Sequence, residues 1–166
     1  MLILGIDPGL NTTGYGIIEE NQNNLKFIEA GYIRTQPKDN IEIRLSKIYT
    51  DLANIVKRYK LDAIVLEKLY AHYKHPVTAC LLGHARGIIC LVCAQNNIKL
   101  FEYAATRTRK AVLGRGNASK LQTQHMVLNM LGIRDKSKIP LDITDALSLA
   151  IAHSYIAKSE KLLKLS

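Results

Sequence analysis

A chain of 166 residues can bury one core of its own, and 48% hydrophobic against 22% charged residues excludes a disordered polymer. Lysine and arginine number 23 against 14 acids, a formal charge of +9, which favours an anionic partner, most commonly nucleic acid. No apolar run reaches the roughly 20 residues that a membrane span needs. The chain opens on the apolar "MLILGID" with no basic segment ahead of it, so the expected location is the cytoplasm, with no membrane partner.

Residues 2 to 7, "LILGID", read as a buried strand running into an Asp-Pro-Gly turn. "TGYGIIE" and "LKFIEAGYIRT" follow as two further strands of a meander, parted by a polar Asn-Gln-Asn-Asn. From 41 to 59, Ile41, Leu45, Ile48, Leu52, Ile55 and Val56 recur at helical spacing with charges on the other face. "LDAIVLE", 61 to 67, is a short apolar strand ending in an acid, and a long apolar helix runs from Pro76 to about Gln95. Cys80, Cys90 and Cys93 lie in that helix at spacings that fit neither a zinc site nor a disulfide framework, and are expected as reduced core residues. "IKLFEYA" from 98 is a strand, and the rest, apart from a basic glycine-containing stretch at 114 to 116, reads as helical to the end. This order predicts one α/β unit over 1–158, with antiparallel and parallel pairs in its sheet and 159–166 as a tail.

Four acids stand out. Taken singly, Asp142 and Asp145 in "PLDITDALSLAIAH" would be a cap and a first-turn acid of the last helix, Asp7 would open a turn, and Glu67 would be a solvated strand end. Taken together they fit another pattern, because parallel neighbouring strands end on one sheet edge, where ligands bind in open α/β folds. Asp7 and Glu67 both end apolar strands, and Asp142 and Asp145 share a helix face by their i, i+3 spacing. Two carboxylates ~4 Å apart repel by roughly 4 kcal/mol at an effective dielectric of 20, so such a cluster needs protons or cations. Hard oxygen ligands select Mg²⁺ or Mn²⁺, and a pair of such ions serves in-line displacement at a phosphodiester. A basic chain with a buried acidic cluster is what a nuclease requires. Two other classes stay open on these residues: a catalytically silent nucleic-acid binder, and an actin-like ATPase, whose phosphate hairpin the glycine-rich "GIDPGLNTTGYG" also matches.

"GIDPGLNTTGYGII" (5 to 18), "LEKLYAH" (66 to 72), "GHARGII" (83 to 89), "FEYAATRTRKAVLGRGNASKLQTQHMV" (101 to 127) and "DITDALSLAIAH" (142 to 153) resemble, in order, the RuvC crossover-junction endonucleases. The resemblance implies a ribonuclease H-like five-stranded mixed sheet flanked by helices. It also implies two Mg²⁺ ions per active site, with Mn²⁺ as a substitute, on Asp7, Glu67, Asp142 and Asp145. The implied activity is paired nicking of four-way DNA junctions, leaving 5′-phosphate and 3′-hydroxyl ends, in recombination and repair. The implied partners are a second copy of the chain and the branch-migration proteins RuvA and RuvB.

Lys99, Arg107, Arg109, Lys110, Arg115 and Lys120 form a basic strip opposed by one acid, Glu102, as a phosphate-binding segment would. By resemblance Lys120 is a catalytic lysine near the scissile phosphate, and either Arg109 or Lys110 takes a second family lysine's place. Tyr70 stands where the family carries an aromatic that stacks on a base, in a loop with Tyr73, Lys74 and His75. Ala79, Gly83 and Gly87 recur every four residues and would leave a groove along the long helix for another helix. The histidines have no convincing metal spacing.

Overall fold

The computed structural model describes residues 1–22, 24–69, 76–133 and 139–163. Five strands, β1 (Leu2–Asp7), β2 (Thr12–Asn21), β3 (Asn24–Arg34), β4 (Ala63–Glu67) and β5 (Lys99–Tyr103), form one sheet in the order β3-β2-β1-β4-β5. The first three pair antiparallel, and β1–β4 and β4–β5 pair parallel, as the element order predicts. Helices α1 (Ile41–Arg58) and α2 (Pro76–Gln95) lie on one face, and α3 (Ala105–Leu113), α4 (Lys120–Met130) and α5 (Leu141–Leu163) on the other.

Period-2 alternation divides the strands between two cores. Leu4, Ile6, Ile64 and Leu66 pack with Ile48, Leu52 and Ile89 from α1 and α2. Their neighbours Ile3, Ala63 and Val65 pack with Val112, Val127, Leu147 and Ile151 from α3, α4 and α5. Helix α5 is buried almost continuously from Ile143 to Ile156, which is why its sequence is apolar all round. The stretch expected as helical to the end is thus three helices. Gly114 and Gly132, at φ 77° and 66°, end α3 and α4 in the left-handed conformation that glycine adopts freely. Residues 159–163 of the expected tail continue α5.

Helix α2 departs from expectation twice. Cys80 and Cys90 are exposed, and only Cys93 belongs to the core. Over Val77–Gln95 the mean hydropathy is 1.8, enough by length and composition for a membrane span, although Arg86 breaks the apolar run in the bare sequence. Those criteria alone are weak, since core helices pass them too. Both departures have one cause: one side of α2 packs on the sheet through Ala85, Ile89 and Val92, and the other is covered by nothing in the described chain. Outside the helix's own backbone, a Cβ added at Gly83 or Gly87 would meet no atom of the described residues within 4 Å.

Candidate active site

Strands β1 and β4 run parallel with Ile6 opposite Leu66, so the next residues, Asp7 and Glu67, emerge side by side at one sheet edge. Helix α5 brings the other two acids. It approaches the sheet so closely that a Cβ at Gly5 would overlap the carbonyl oxygen of Ala146, and one at Gly14 the carbonyl oxygen of Asp142. Glycine at both positions lets the helix start lie against β1 and β2. Asp142 lies in the first turn of α5, and the Pro140 carbonyl accepts the N–H of Ile143 and Thr144. Asp145 follows one turn later on the same side.

Helix α4 delivers a cation. Ser119 caps it through a reciprocal pair, its Oγ accepting from Gln122 N at 3.2 Å while Gln122 Oε1 accepts from Ser119 N at 3.0 Å. Lys120 is therefore the first helical residue, and its Nζ donates to Asp145 Oδ2 at 2.8 Å. Asp7, Glu67, Asp145, Lys120 and Arg109 line one small cavity of about 30 Å³, with the hydroxyl residues Thr108, Thr123 and Ser148 among its other walls. Beside it a cleft of about 250 Å³ is shared by Asp7 and Glu67 with Pro8, Lys68, Leu69, Leu82 and Arg86.

The charges interact strongly. Burial, and then the charge of Asp145, push Asp7 up to about 7; Asp142 and Glu67 add to the rise and Lys120 opposes it. Glu67 is raised by burial and then by Asp145, against Arg109, Lys120 and Arg86. The hydrogen bond to Asp145 raises Lys120, which stays charged. A carboxylate set in which the charge of Asp145 raises the proton affinity of Asp7 and Glu67 has the chemistry that a hard divalent cation relieves. Among the described residues, no three acids, histidines or cysteines stand close enough to clasp one ion. Lys120 engages one oxygen of Asp145, Oδ2, and so partly neutralises the acid charge in this arrangement.

The basic strip does not survive as a unit. A helix turns about 100° per residue, and in α3 this sends Arg109 to the acids but Arg107 and Lys110 to a groove with Tyr155, Ile156 and Ser159. Arg107 donates to Glu160 at 2.8 Å and lies over the Tyr103 ring. Lys99 starts β5 and faces a cavity at the opposite sheet end with Asp62, Asn97 and His153. Arg115 is exposed in the loop before α4. Of the two candidates for the second lysine's place, Arg109 is the one beside the acids. Tyr70, Lys74 and the rest of that loop lie outside the described residues.

Sequence reasoning passed over two residues. Arg86 is the only Lys, Arg, Asp or Glu in α2, and a lone charge in an apolar helix was a signal that it had a buried partner. Thr108 Oγ1 is buried without a hydrogen-bond partner beside the acids, and nothing in the sequence marks it.

A family model described as crossover junction endodeoxyribonuclease RuvC matches residues 3–153. The chain belongs to this family. The RuvC of Desulforamulus reducens is 43% identical over 154 residues, covering 93% of each chain. That of Clostridioides difficile is 40% identical over 164 residues, 99% of this chain and 96% of its own. Among solved structures, Thermus thermophilus RuvC in complex with Holliday junction substrate matches with a TM-score of 0.89 over 96% of both chains, at 22% identity. The yeast mitochondrial Holliday junction resolvase gives a TM-score of 0.70 at 12% identity, over 98% of this chain and 83% of its own. The RuvC fold, a five-stranded mixed sheet flanked by helices, is the ribonuclease H-like architecture expected from sequence.

Proposed function

We propose that this RuvC-family chain is a Holliday junction resolvase, an endodeoxyribonuclease that nicks two like strands of a four-way DNA junction by metal-dependent hydrolysis. The observation that carries this reading is the charge coupling of Asp7 to Asp145, Asp142 and Glu67, acids from two strand ends and one helix start, with Lys120 beside Asp145, on a chain of charge +9. A pure binder gains nothing from negative charge turned toward phosphate.

Asp7, Glu67, Asp142 and Asp145 would hold Mg²⁺, or Mn²⁺ in its place, as oxygen ligands from rigid elements. Bound there, the metal supplies Lewis acidity at the scissile phosphate and lowers the pKa of attacking water. Asp7 must give up its proton to act as a ligand, so its raised proton affinity couples metal loading to pH. Lys120 lines the cavity beside Asp145, where a fixed cation would stabilise charge that develops on the phosphate. Arg109 stands on the same wall and holds backbone phosphate.

Two like cuts call for two sites related by two-fold symmetry. The uncovered face of α2 supports a homodimer, because bare Gly83 and Gly87, on the side that also exposes Cys80 and Leu91, let a second copy of the helix approach closely. RuvA and RuvB remain the proposed partners that deliver the junction, and the cytoplasm the proposed place of action.

The test is cleavage of a synthetic mobile four-way junction in Mg²⁺, with linear duplex alongside, by the native chain, Asp7→Asn and Asp145→Asn. Paired nicks in the junction alone, lost in both variants while binding persists, are expected. Junction binding without cleavage in Mg²⁺ or Mn²⁺ would replace this reading with a recognition module.

A further inference from the structure

We propose that Arg86 is a positioning residue for Glu67, acting from α2 to hold the end of β4 in the place a metal ligand needs. The inference rests on the reading of Glu67 as such a ligand and adds to it a residue that touches neither metal nor DNA. Arg86 carries the only full charge on α2, and its side chain is 12% exposed. A charge so enclosed is costly unless paired and hydrogen-bonded. It has two partners: Nη1 donates to the Glu67 backbone carbonyl at 2.6 Å, and Nη2 to the Glu102 carboxylate on β5.

The need for this donor follows from the strand ends. Lys68 N donates to Tyr103 O at 2.8 Å, which fixes the β5 side of the β4 terminus. On the β1 side the register stops at Ile6 opposite Leu66. Continuing it would bring Pro8, which has no N–H, to the Glu67 carbonyl. The last carbonyl of β4 thus has no donor from β1, and a guanidinium from the helix beneath supplies one. Because the same guanidinium is anchored on Glu102, it ties the residue that must present a carboxylate to the neighbouring strand. Groups that orient a metal ligand typically change metal affinity by 10- to 100-fold when removed.

The probe is Mn²⁺ alone, followed by electron paramagnetic resonance on the native chain, Arg86→Gln, Arg86→Lys and Glu102→Gln, with junction cleavage titrated against Mg²⁺ in parallel. Arg86→Gln is expected to weaken Mn²⁺ binding about tenfold or more. The Mg²⁺ needed for half-maximal cleavage should rise in step, with the rate at saturating Mg²⁺ and the salt dependence of junction binding near native. Arg86→Lys should recover part of the loss, since an ammonium can reach one partner, and Glu102→Gln should fall between. Both keep the test alive if Arg86→Gln fails to fold. Native Mn²⁺ affinity in the folded variants, or a flattened salt slope for junction binding, would overturn the proposal, the latter by making Arg86 a DNA contact. If the native chain cuts junctions and Asp145→Asn does not, the functional reading stands whatever Arg86 does. If the native chain cuts nothing in either metal, the functional reading itself fails.

Discussion

Lys120 Nζ lies 2.8 Å from Asp145 Oδ2, a cation from the first turn of α4 seated on an acid from the second turn of α5. Removing it should have two opposite effects. Lys120→Met frees Asp145 and should tighten Mn²⁺ binding, while single-turnover junction cleavage falls by about 10²-fold or more for want of a cation at the phosphate. Weakened metal binding together with unchanged cleavage would place Lys120 outside the reaction.

Asp7 makes the site costly to fold. In the unfolded chain its carboxyl ionises near 3.8, and in the folded chain near 7. Between those values only the folded state keeps the proton, so stability is present below pH 4 and is lost as pH rises through 7. Without metal, Asp7→Asn should therefore be more stable than the native chain above pH 7, by on the order of 4 kcal/mol, with the gain vanishing near pH 4. Thermal unfolding at pH 4, 6 and 8 in chelator measures it.

Acid tolerance should depend on Glu29. Burial raises its proton affinity, but hydrogen bonds from Arg58, Tyr59 and Tyr15 outweigh that and hold it down at about 2. A depressed carboxylate contributes stability above about 4.5 that disappears as pH falls toward 2. With a side chain 23% exposed and Arg58 largely in solvent, Glu29→Gln should cost on the order of 2 kcal/mol at pH 7 and little at pH 2. Denaturant midpoints at the two pH values give the difference.

The divided basic segment separates DNA contacts from structural ones. Arg107 is held by Glu160 and Tyr103, so Arg107→Ala should leave the salt dependence of junction binding as it is. Arg115→Ala should flatten that slope by about one counterion, as loss of one phosphate contact does. Binding isotherms between 50 and 200 mM salt, roughly the range over which counterion release dominates, distinguish the two.

Bulk on the bare side of α2 should block pairing. At Gly87 an added Cβ meets no described atom within 4 Å outside its own helix backbone, so in Gly87→Trp the fold should persist while sedimentation shows a monomer. An unaltered dimer would put the two-fold elsewhere.

The element order, the mixed pairing and the shared edge of Asp7 and Glu67 were legible in sequence because each rests on local alternation and on which strands end in acids. Asp142 and Asp145 were legible as a pair, but their arrival at that edge depends on how α5 crosses the sheet, which no local pattern encodes. The placement of the basic residues was hidden for the reverse reason: Lys99, Arg107 and Arg109 are close along the chain, yet strand length and helix rotation send them to three places. The fate of Cys80 and Cys90 was hidden because composition cannot tell a helix side that meets the core from one that stays exposed.

The contact of Gly5 and Gly14 with the carbonyls of Ala146 and Asp142 has a further consequence. Main chain rests on main chain there, so the gap between the strand-end acids and the helix acids is gauged by atoms that every amino acid shares. Volume changes in either hydrophobic core alter how firmly the protein holds together without resetting that gap. The spacing of the carboxylates is thus set by backbone at these two positions, and a single methyl group at either glycine would undo it.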